Sequence, residues 1–441
     1  MNTLVALCAV GAEHVLGNEI KHLGYRLAGN APGRVYFFGD EDALFRANLC
    51  LRTADRVFLQ VASYKAEDFD ELFDGVYAVN WQDFFKKDTK VTVDKVRIYK
   101  SKLNSEHSIQ GMVQKAIYKK LGDVWHINSL PESGDEANVR VYLDENQALV
   151  LLDLSGEPLH KRGYRTDGGL APLRETMAAV LLQMMMWRRK MPLHDAFCGS
   201  GTLPIEAALY AYNVAPGLGR GFAMEKLAFF DRNRALELRK EEAAKIRTDV
   251  EVRITGSDID PAAVARSQKN AEHACVMAGR ALQMIGSDAH VIRPDFTQAD
   301  FADLQAPYPE GILICNPPYG ERLGDEEQAE ELYKKMACLF EDFKGWEIGV
   351  ITSHRRFQEC IGHYAALLKS LKAGNLETCF YIYSKVSANG RSAQKKNFER
   401  RPARMKNSGK KSGNHGKFER NDSSEKGRSA WKAHGGYKFD F

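Results

Sequence analysis

The turn Asn316–Gly320, with the sequence NPPYG, directly follows the apolar run from Ile312 to Cys315. Because proline fixes φ and has no N–H to donate, this order predicts a buried strand that ends abruptly and leaves carbonyls free. The Asn316 side-chain oxygen and the Pro317 carbonyl offer two acceptors to one NH₂ group, and Tyr319 offers a flat face to an aromatic ring. These residues predict a site that holds the amine of a planar base and makes its nitrogen nucleophilic. A proline-rich turn after a core strand is the structural alternative.

A glycine-rich loop is predicted upstream, between a strand at Leu193 to Phe197 and a helix that runs to Ala211. Its residues are Cys198, Gly199, Ser200, Gly201 and Thr202. Because glycine has no side chain, the backbone at such a helix N-terminus can approach a ligand closely. The loop lacks the Lys of a phosphate loop and the GxGxxG spacing of a dinucleotide site. Asp195, at the head of the loop, would repel a pyrophosphate but suits the α-ammonium of an amino acid.

Two more strands are predicted to end in carboxylates. Asp258 follows the strand at Val252 to Thr255, where a carboxylate can hold both ribose hydroxyls, and Asp300 ends the strand that begins at Phe296 and could accept from an adenine amine. Asp260 is a second choice for the ribose, because it precedes Pro261 and is also a candidate helix N-cap. An ammonium, a ribose and an adenine together describe S-adenosylmethionine, and Thr202 and Asn316 are further candidates for contact with this cofactor.

Three motifs, DAFCGSGT at 195–202, GSDIDP at 256–261 and NPPYGERLG at 316–324, resemble class I methyltransferases that modify exocyclic amines of nucleic-acid bases. More narrowly, LHKRGYR at 159–165 and APLRETMAA at 171–179 are similar to the linker of THUMP-containing 23S rRNA guanine-N2 methyltransferases, the RlmL family.

The resemblance covers roughly residues 1 to 385. One departure is Ala196, where relatives usually carry Pro, and it removes no side-chain contact to the cofactor. The resemblance implies an α/β fold with a Rossmann-like seven-stranded methyltransferase domain, preceded by α+β ferredoxin-like and THUMP modules. It also implies 23S rRNA or a large-subunit precursor as partner, with a guanine flipped onto Tyr319. Family knowledge supplies the rRNA and the N2 atom, whereas the residues alone support amine methylation.

The chain divides into modules whose patterns differ. Short strands and helices of an α+β type precede the linker, and strictly alternating strands and helices, typical of a doubly wound sheet, follow it. The predicted segments are a ferredoxin-like piece (1–56), a THUMP RNA-binding domain (57–158), a linker (159–176), a methyltransferase domain (177–385) and a basic tail (386–441). In the linker, Lys161, Arg162 and Arg165 are predicted to contact the RNA backbone or seat the cofactor, and docking of the two halves is the structural alternative.

Charge is distributed unevenly along the chain. The formal net charge is +4, yet residues 385–441 contain 16 Lys and Arg against 5 Asp and Glu, which leaves 46 against 53 for the rest. The tail is also rich in Gly, Ser and Asn with singly spaced aromatics, so we expect it to be disordered. Such a segment suits sequence-tolerant RNA binding, and a solubilising extension is the alternative.

The remaining composition argues against several classes of protein. Eight scattered Cys without a CxxC pair predict reduced thiols and no metal site, and amine methylation needs no covalent Cys198 intermediate. The sequence predicts neither a membrane span nor a signal peptide, so a cytoplasmic location is expected. Two rival functions remain. A DNA adenine-N6 methyltransferase would carry a domain that reads base edges. A non-enzymatic rRNA-binding assembly factor would not need cofactor-binding residues at the ends of four strands.

Overall fold

The structure, a computed structural model, describes residues 1–166, 172–318, 326–374 and 376–384. Two seven-stranded sheets organise these residues, one in each half of the chain. None of the described helices is long and apolar enough to cross a membrane. The predicted basic tail and Tyr319 lie outside the described residues.

The N-terminal sheet combines both predicted N-terminal modules. Its strands are β1 (Asn2–Leu7), β2 (Arg26–Ala31), β3 (Arg34–Gly39), β4 (Arg56–Lys65), β5 (Lys90–Tyr99), β6 (Glu136–Asp144) and β7 (Gln147–Asp153). The spatial order is β2-β3-β1-β4-β7-β6-β5, and all neighbours are antiparallel except β5 and β6. Because side chains alternate along a strand, Leu4 and Ala6 enter the main core whereas Val5 packs on the opposite face.

Four helices accompany this sheet. They are α1 (Glu13–His22), α2 (Glu41–Cys50), α3 (Phe69–Tyr77) and α4 (Glu106–Trp125). Helix α4 begins after Ser105, whose hydroxyl accepts the N-cap hydrogen bond from Ser108 N at 3.3 Å. Strands β6 and β7 form a hairpin, with Asp144 opposite Gln147.

Strand β4 makes the N-terminal sheet continuous. It pairs with β1 on one side, where Leu59 lies opposite Leu4, and with β7 on the other, where Leu59 lies opposite Leu152. Both edges of β4 are therefore hydrogen-bonded, which removes two exposed strand edges. The boundary predicted at residue 56 coincides with the first residue of this shared strand, so the two modules form one continuous sheet rather than two small ones.

The C-terminal sheet confirms the predicted doubly wound architecture. Its strands are β8 (Leu193–Asp195), β9 (Ile254–Asp258), β10 (Asp295–Gln298), β11 (Ile312–Cys315), β12 (Glu347–Thr352), β13 (Leu367–Ala373) and β14 (Leu376–Tyr383). Their order is β10-β9-β8-β11-β12-β14-β13; the first five are parallel, and β14 is antiparallel to β12 and β13. The described helices here are α5 (Glu175–Met184), α6 (Thr202–Ala211), α7 (Arg232–Ala243), α8 (Pro261–Gln283), α9 (Glu326–Lys335), α10 (Leu339–Asp342) and α11 (Phe357–Ile361).

Helix α7 belongs to the segment 213–247, which interrupts the alternation of strands and helices and joins the two halves. Arg46 on α2 contacts Glu241 and Glu242 on α7 at 2.6 and 2.5 Å, and Arg234 on α7 contacts Asp42 at 2.5 Å. These pairs fix α7 against helix α2 of the N-terminal half.

The same segment carries Arg220 and Phe222, a cation and an aromatic ring that could either contact a substrate or pack within the fold. Phe222 is buried against Phe45 with ring centroids 5.4 Å apart, and Arg220 donates to the carbonyls of Pro158 and Glu157 at 2.6 and 2.7 Å. This placement favours the packing role. A second connection joins Val10 to Lys372 on β13 by two backbone hydrogen bonds of 2.9 and 3.0 Å.

Candidate active site

The predicted site residues converge because four parallel strands end at one edge of the sheet. Asp195 pairs in register with Gly256, Gln298 pairs with Asp258, and Leu313 pairs with His194. The strand order β10-β9-β8-β11 therefore places the turns after all four strands side by side, where ligands bind in open α/β sheets.

Asp195 is a buried carboxyl group at the last residue of β8. Its Oδ1 accepts from Phe197 N at 3.1 Å, and this local turn ends the strand at Asp195, two residues before the predicted end. Burial raises the pKa of Asp195 to about 8; the Phe197 N–H opposes the rise, and the Asp258 carboxylate adds to it. Among the described residues no cation pairs with this desolvated carboxyl group, so it is well placed to receive an ammonium group.

Asp195→Asn should therefore stabilise the ligand-free protein, with a gain that depends on pH. In the folded protein the pKa of Asp195 is about 8, against an ordinary value of 3.8. The folded state of the wild type is therefore most stable with respect to this group below about pH 4, and it loses stability as the pH rises through 8. Asn cannot ionise but still accepts from Phe197 N. We expect the Tm difference between the variant and the wild type to grow from pH 5 to pH 9. Burial also raises the pKa of Glu175, to about 7. Glu175 titrates in both the variant and the wild type, so its contribution cancels in the Tm difference. A difference that stays constant with pH would contradict the burial argument.

The glycine-rich loop leaves open space at one glycine and is tightly packed at the other. Gly199 has φ +55°, and a Cβ added there would meet nothing within 4 Å. Gly201 has φ +79°, and a Cβ there would lie 3.0 Å from the Phe296 ring. Gly201 is thus required by the fold, whereas Gly199 leaves room beside the loop for a ligand.

Cys198 lies inside the loop rather than facing a substrate. Its thiol is buried and lies 3.6 Å from the Ser267 hydroxyl, while its N–H donates to Ser257 O at 2.9 Å. Burial raises the pKa of this thiol above its ordinary range, which disfavours a nucleophilic role.

Helix α8 supports the loop through contacts that the sequence motifs did not reveal. Ser267 donates to Gly199 O at 2.9 Å, and the Asn270 side chain donates to Ser200 O at 3.0 Å. The Ser200 and Thr202 hydroxyls lie 3.2 Å apart. Polar residues one turn apart on a helix that begins beside the loop are the only signal that sequence inspection could have used.

Asp258 and Asp260 have different partners. Asp258 ends β9; its two oxygens accept from Gly199 N at 2.9 Å and from Asp260 N at 3.0 Å. Asp260 is exposed and caps α8, because its Oδ1 accepts from Ala262 N at 2.9 Å. The structure thus shows Asp260 as the N-cap of α8. Asp258 remains the stronger candidate for binding the ribose.

Asp258→Ala should weaken cofactor binding by about 1.5–3 kcal/mol, or roughly 10- to 150-fold, because it removes a charged acceptor beside the loop. Asp260→Ala is the matched control; losing the cap costs about 1 kcal/mol of helix stability but should leave cofactor affinity within a few-fold. Calorimetric titration measures both. If only the control lost affinity, the ribose assignment would move to Asp260.

Asp300 lies just beyond β10, since that strand ends at Gln298 rather than at Asp300 as predicted. Its Oδ1 accepts from Ala302 N at 3.0 Å and caps the 3₁₀ helix Phe301–Asp303. This cap holds a half-buried carboxylate just beyond the strand next to β9, and its contact with the adenine stays a prediction.

The turn after β11 presents an unsatisfied acceptor. Asn316 Oδ1 is buried and has no hydrogen-bond partner among the described residues. Tyr333 on α9 braces the turn, because its hydroxyl donates to Pro318 O at 3.3 Å and lies 3.2 Å from the Thr352 hydroxyl. A buried amide oxygen without a partner carries a desolvation cost, which a bound donor group would remove.

The three basic linker residues occupy different environments. Lys161 is exposed and pairs with Glu157 one turn earlier. Arg162 is 1% exposed and donates to Leu159 O at 2.6 Å and to Arg52 O at 2.5 Å, with Glu206 Oε1 3.5 Å from its Nε. This burial favours the docking alternative for Arg162 over contact with RNA.

Arg165 connects the linker to the glycine-rich loop. Its Nη2 donates to the Thr202 hydroxyl at 2.7 Å and to Leu173 O at 2.9 Å, and its Nε lies 3.4 Å from Glu175. Arg165 thus helps to position the start of α6, and its contact with the RNA backbone or the cofactor stays a prediction.

No group of three or more His, Cys, Asp or Glu side chains that could hold a metal ion occurs in the described parts of the chain.

Family models match three consecutive segments of the chain. Residues 3–58 match the RlmL ferredoxin-like domain, residues 66–153 the THUMP domain, and residues 162–381 the RMKL-like methyltransferase domain.

Relatives and solved structures extend this similarity over most of the chain. "Putative RNA methyltransferase YpsC" of Bacillus subtilis (strain 168) is 40% identical over 391 residues, which cover 87% of this chain and 96% of that protein. "Ribosomal RNA large subunit methyltransferase K/L" of Photobacterium profundum is 31% identical over 392 residues, 87% of this chain and 53% of that protein. The crystal structure of SMU.472, complexed with SAH, has a TM-score of 0.76 at 35% identity and covers 87% of this chain and 97% of that one.

The shared domain order, the sheet topology and the four strand ends agree with one another. The chain belongs to the RlmL-type family of methyltransferases, which join a ferredoxin-like domain, a THUMP domain and an RMKL-like methyltransferase domain.

Proposed function

We propose that the protein transfers a methyl group from S-adenosylmethionine to the exocyclic N2 amine of a guanine in 23S rRNA. The observation that carries this proposal is the buried Asn316 Oδ1, which has no partner among the described residues and lies at the carboxyl end of β11. An acceptor that the fold leaves unsatisfied at this position suits an NH₂ donor from a base.

Two similarities support RNA as the substrate. Residues 66–153 match the THUMP domain, and the relatives from Photobacterium profundum and Syntrophotalea carbinolica are named ribosomal RNA large subunit methyltransferases. Guanine N2 as the acceptor comes from the family resemblance and from the Asn-Pro-Pro-Tyr turn.

The cofactor fits the residues at the strand ends. Asp195 is proposed to hold its ammonium group, Asp258 its ribose hydroxyls and Asp300 its adenine amine, while Gly199 leaves space beside the loop. When bound, S-adenosylmethionine supplies an electrophilic methyl group on a sulfonium centre. Buried Asp195 would ionise on pairing with an ammonium, because the ion pair offsets the desolvation that raises its pKa.

The protein residues then act by orientation and hydrogen bonding. Asn316 Oδ1 and the Pro317 carbonyl accept from the two amine hydrogens, which concentrates electron density on the nitrogen and aligns it for in-line attack. Tyr319 is proposed to stack on the guanine after the base leaves its helix. Because Asn316 is neutral, it makes no tight charge pair with the sulfonium.

Nucleoside analysis after reaction with radiolabelled S-adenosylmethionine tests this function. Purified protein is incubated with 23S rRNA transcripts and, separately, with duplex DNA, and the digested nucleosides are separated by mass. We expect label in N2-methylguanosine from RNA. Label in N6-methyladenine from DNA would replace the proposal by the adenine rival, and no transfer to either would favour an assembly factor.

A further inference from the structure

A carboxylate and two basic side chains meet beside the acceptor turn, and the mechanism proposed above uses none of them. Glu330 lies on α9, and its Oε1 is 3.0 Å from Arg356 Nη1 and 3.8 Å from His354 Nε2. The side chains of Glu330 and His354 are 18% and 8% exposed, whereas that of Arg356 is 61% exposed. Glu330 and His354 are therefore largely withdrawn from bulk water, and Arg356 lies on their solvent side.

The topology of the sheet places this group at the edge where ligands are expected to bind. Helix α9 connects β11 to β12, which are parallel neighbours, so it begins at the carboxyl edge of the sheet. Glu330 lies in the first half of α9, and His354 follows β12, which ends at Thr352. Both residues thus belong to the same edge as Asn316, on the side of β11 that faces away from β8.

A chain of hydrogen bonds joins the acceptor turn to His354. The Tyr333 hydroxyl donates to Pro318 O at 3.3 Å and lies 3.2 Å from the Thr352 hydroxyl. Thr352 Oγ1 in turn accepts from His354 N at 3.1 Å, and the Tyr333 and His354 rings pack edge to face with centroids 5.4 Å apart. Tyr333 follows Glu330 by three residues, so one face of α9 carries both the brace and the carboxylate. The fold therefore fixes Glu330 and His354 relative to the acceptor turn.

Guanine presents a distinctive pattern of groups beside its exocyclic amine. The ring N1–H, next to the amine, is a donor, and O6, the following group, is an acceptor; a flipped base is read along this edge. Once Asn316 and Pro317 hold the amine, a neighbouring acceptor for N1–H and a neighbouring donor for O6 complete the recognition. A carboxylate accepts and an imidazole N–H donates, so Glu330 and His354 offer this combination side by side.

We propose that Glu330 and His354 determine the specificity for guanine, with the Glu330 carboxylate accepting from N1–H and an imidazole N–H of His354 donating to O6. The inference rests on the proposed function, since it names the groups that select the base in the same site. Adenine has an unprotonated N1, an acceptor that a carboxylate repels, so Glu330 also selects against the base of the rival function. The structural alternative is that Glu330 ties α9 to the end of β12 through its ion pair with Arg356.

A change in the substrate base separates these two roles. A synthetic 23S rRNA fragment is prepared with guanine or with 2-aminopurine at the position that the wild type methylates. The base 2-aminopurine keeps the exocyclic amine but lacks N1–H and O6. Single-turnover rates are measured for Glu330→Ala of the full chain on both RNAs, with saturating RNA and cofactor.

We expect Glu330→Ala to lose roughly 10- to 150-fold in rate on guanine, which is the usual worth of a hydrogen bond to a charged group, and to stay within about threefold of wild type on 2-aminopurine. The variant is compared with the wild type on each RNA separately. Differences in how easily the two bases leave the helix therefore cancel.

Three further variants test the assignment. His354→Phe keeps a ring beside Tyr333 but removes the donor, so a loss of roughly two- to tenfold is expected on guanine alone. Glu331→Ala removes an equal charge from an exposed position on α9, and Arg356→Ala breaks the ion pair but keeps the Glu330 carboxylate. Both of these variants should leave the preference for guanine over 2-aminopurine unchanged.

The outcomes separate failure of this inference from failure of the function. If Glu330→Ala slows methylation equally on both RNAs, or on neither, the specificity assignment is overturned while the methylation function stands. Equal losses from Glu330→Ala and Arg356→Ala on both RNAs would assign Glu330 to the structural role. If the wild type methylates no guanine in the RNA, the proposed function fails, and this inference fails with it.

Discussion

Asn316→Ala is expected to lower the rate of methyl transfer at least roughly a hundredfold and to leave S-adenosylmethionine affinity within a few-fold of wild type. Removing one preorganised hydrogen-bonding group that acts on the reacting centre typically costs about 10²–10³ in rate. Asn316 Oδ1 is buried, and none of the described residues satisfies it, so the side chain is available to the substrate rather than to the fold.

Single-turnover assays with saturating RNA and cofactor measure this rate directly, and calorimetry gives the cofactor affinity. Asn316→Asp is the conservative control; it keeps an acceptor oxygen at the same position and should retain more activity than the alanine variant. Tyr333→Phe removes the brace on Pro318 without touching the proposed acceptor, so a smaller loss is expected. Near-normal turnover of the alanine variant would remove Asn316 from the catalytic assignment.

Arg162→Ala is expected to destabilise the folded protein by about 3–5 kcal/mol, because it leaves a buried carboxylate without its cation. Arg162 and Glu206 have side-chain exposures of 1% and 0%, and Arg162 also donates to one carbonyl of the linker and one of the N-terminal half. Tyr164, whose hydroxyl lies 3.2 Å from Glu206 Oε1, cannot replace this charge.

Lys161→Ala provides the matched control for Arg162, since it removes a neighbouring cation that is 62% exposed. Chemical denaturation should show less than about 0.5 kcal/mol of change for this variant. A double variant, Arg162→Met with Glu206→Leu, should recover part of the lost stability because no unpaired charge remains. If Arg162→Ala kept full stability but weakened RNA binding, Arg162 would be an RNA contact and the docking role would be wrong.

The motifs at the strand ends were predictable because they depend on local residue types. A proline pair ends β11, glycines with positive φ form the loop after β8, and carboxylates follow β9 and β10 at fixed short spacings. The alternation of strands and helices then places these four ends together, since parallel neighbours share one carboxyl edge.

The contacts that support the site could not be predicted, because they depend on how distant segments pack. Ser267 and Asn270 on α8 hold carbonyls of a loop almost 70 residues earlier, and Tyr333 braces the turn from a later helix. Nothing in the polar sequence LHKRGYR distinguishes buried Arg162 from exposed Lys161. The continuous N-terminal sheet was equally hidden, since only three-dimensional pairing shows that β4 joins both modules.

The structure also suggests how the two halves of the protein cooperate. Arg165 binds the Thr202 hydroxyl at the start of α6, and Arg162 joins the same linker to Arg52 in the N-terminal half. The linker therefore connects the N-terminal half with the loop proposed to hold the cofactor.

Mapping of methylated guanines in 23S rRNA from cells with and without the gene tests the central claim most directly. Total rRNA is digested to fragments, and N2-methylguanosine is located by mass spectrometry; complementation with wild-type and Asn316→Ala genes completes the comparison. We predict that a specific guanine loses its N2 methyl group in the deletion strain and regains it only with the wild-type gene. An unchanged set of methylated guanines in 23S rRNA would contradict the account.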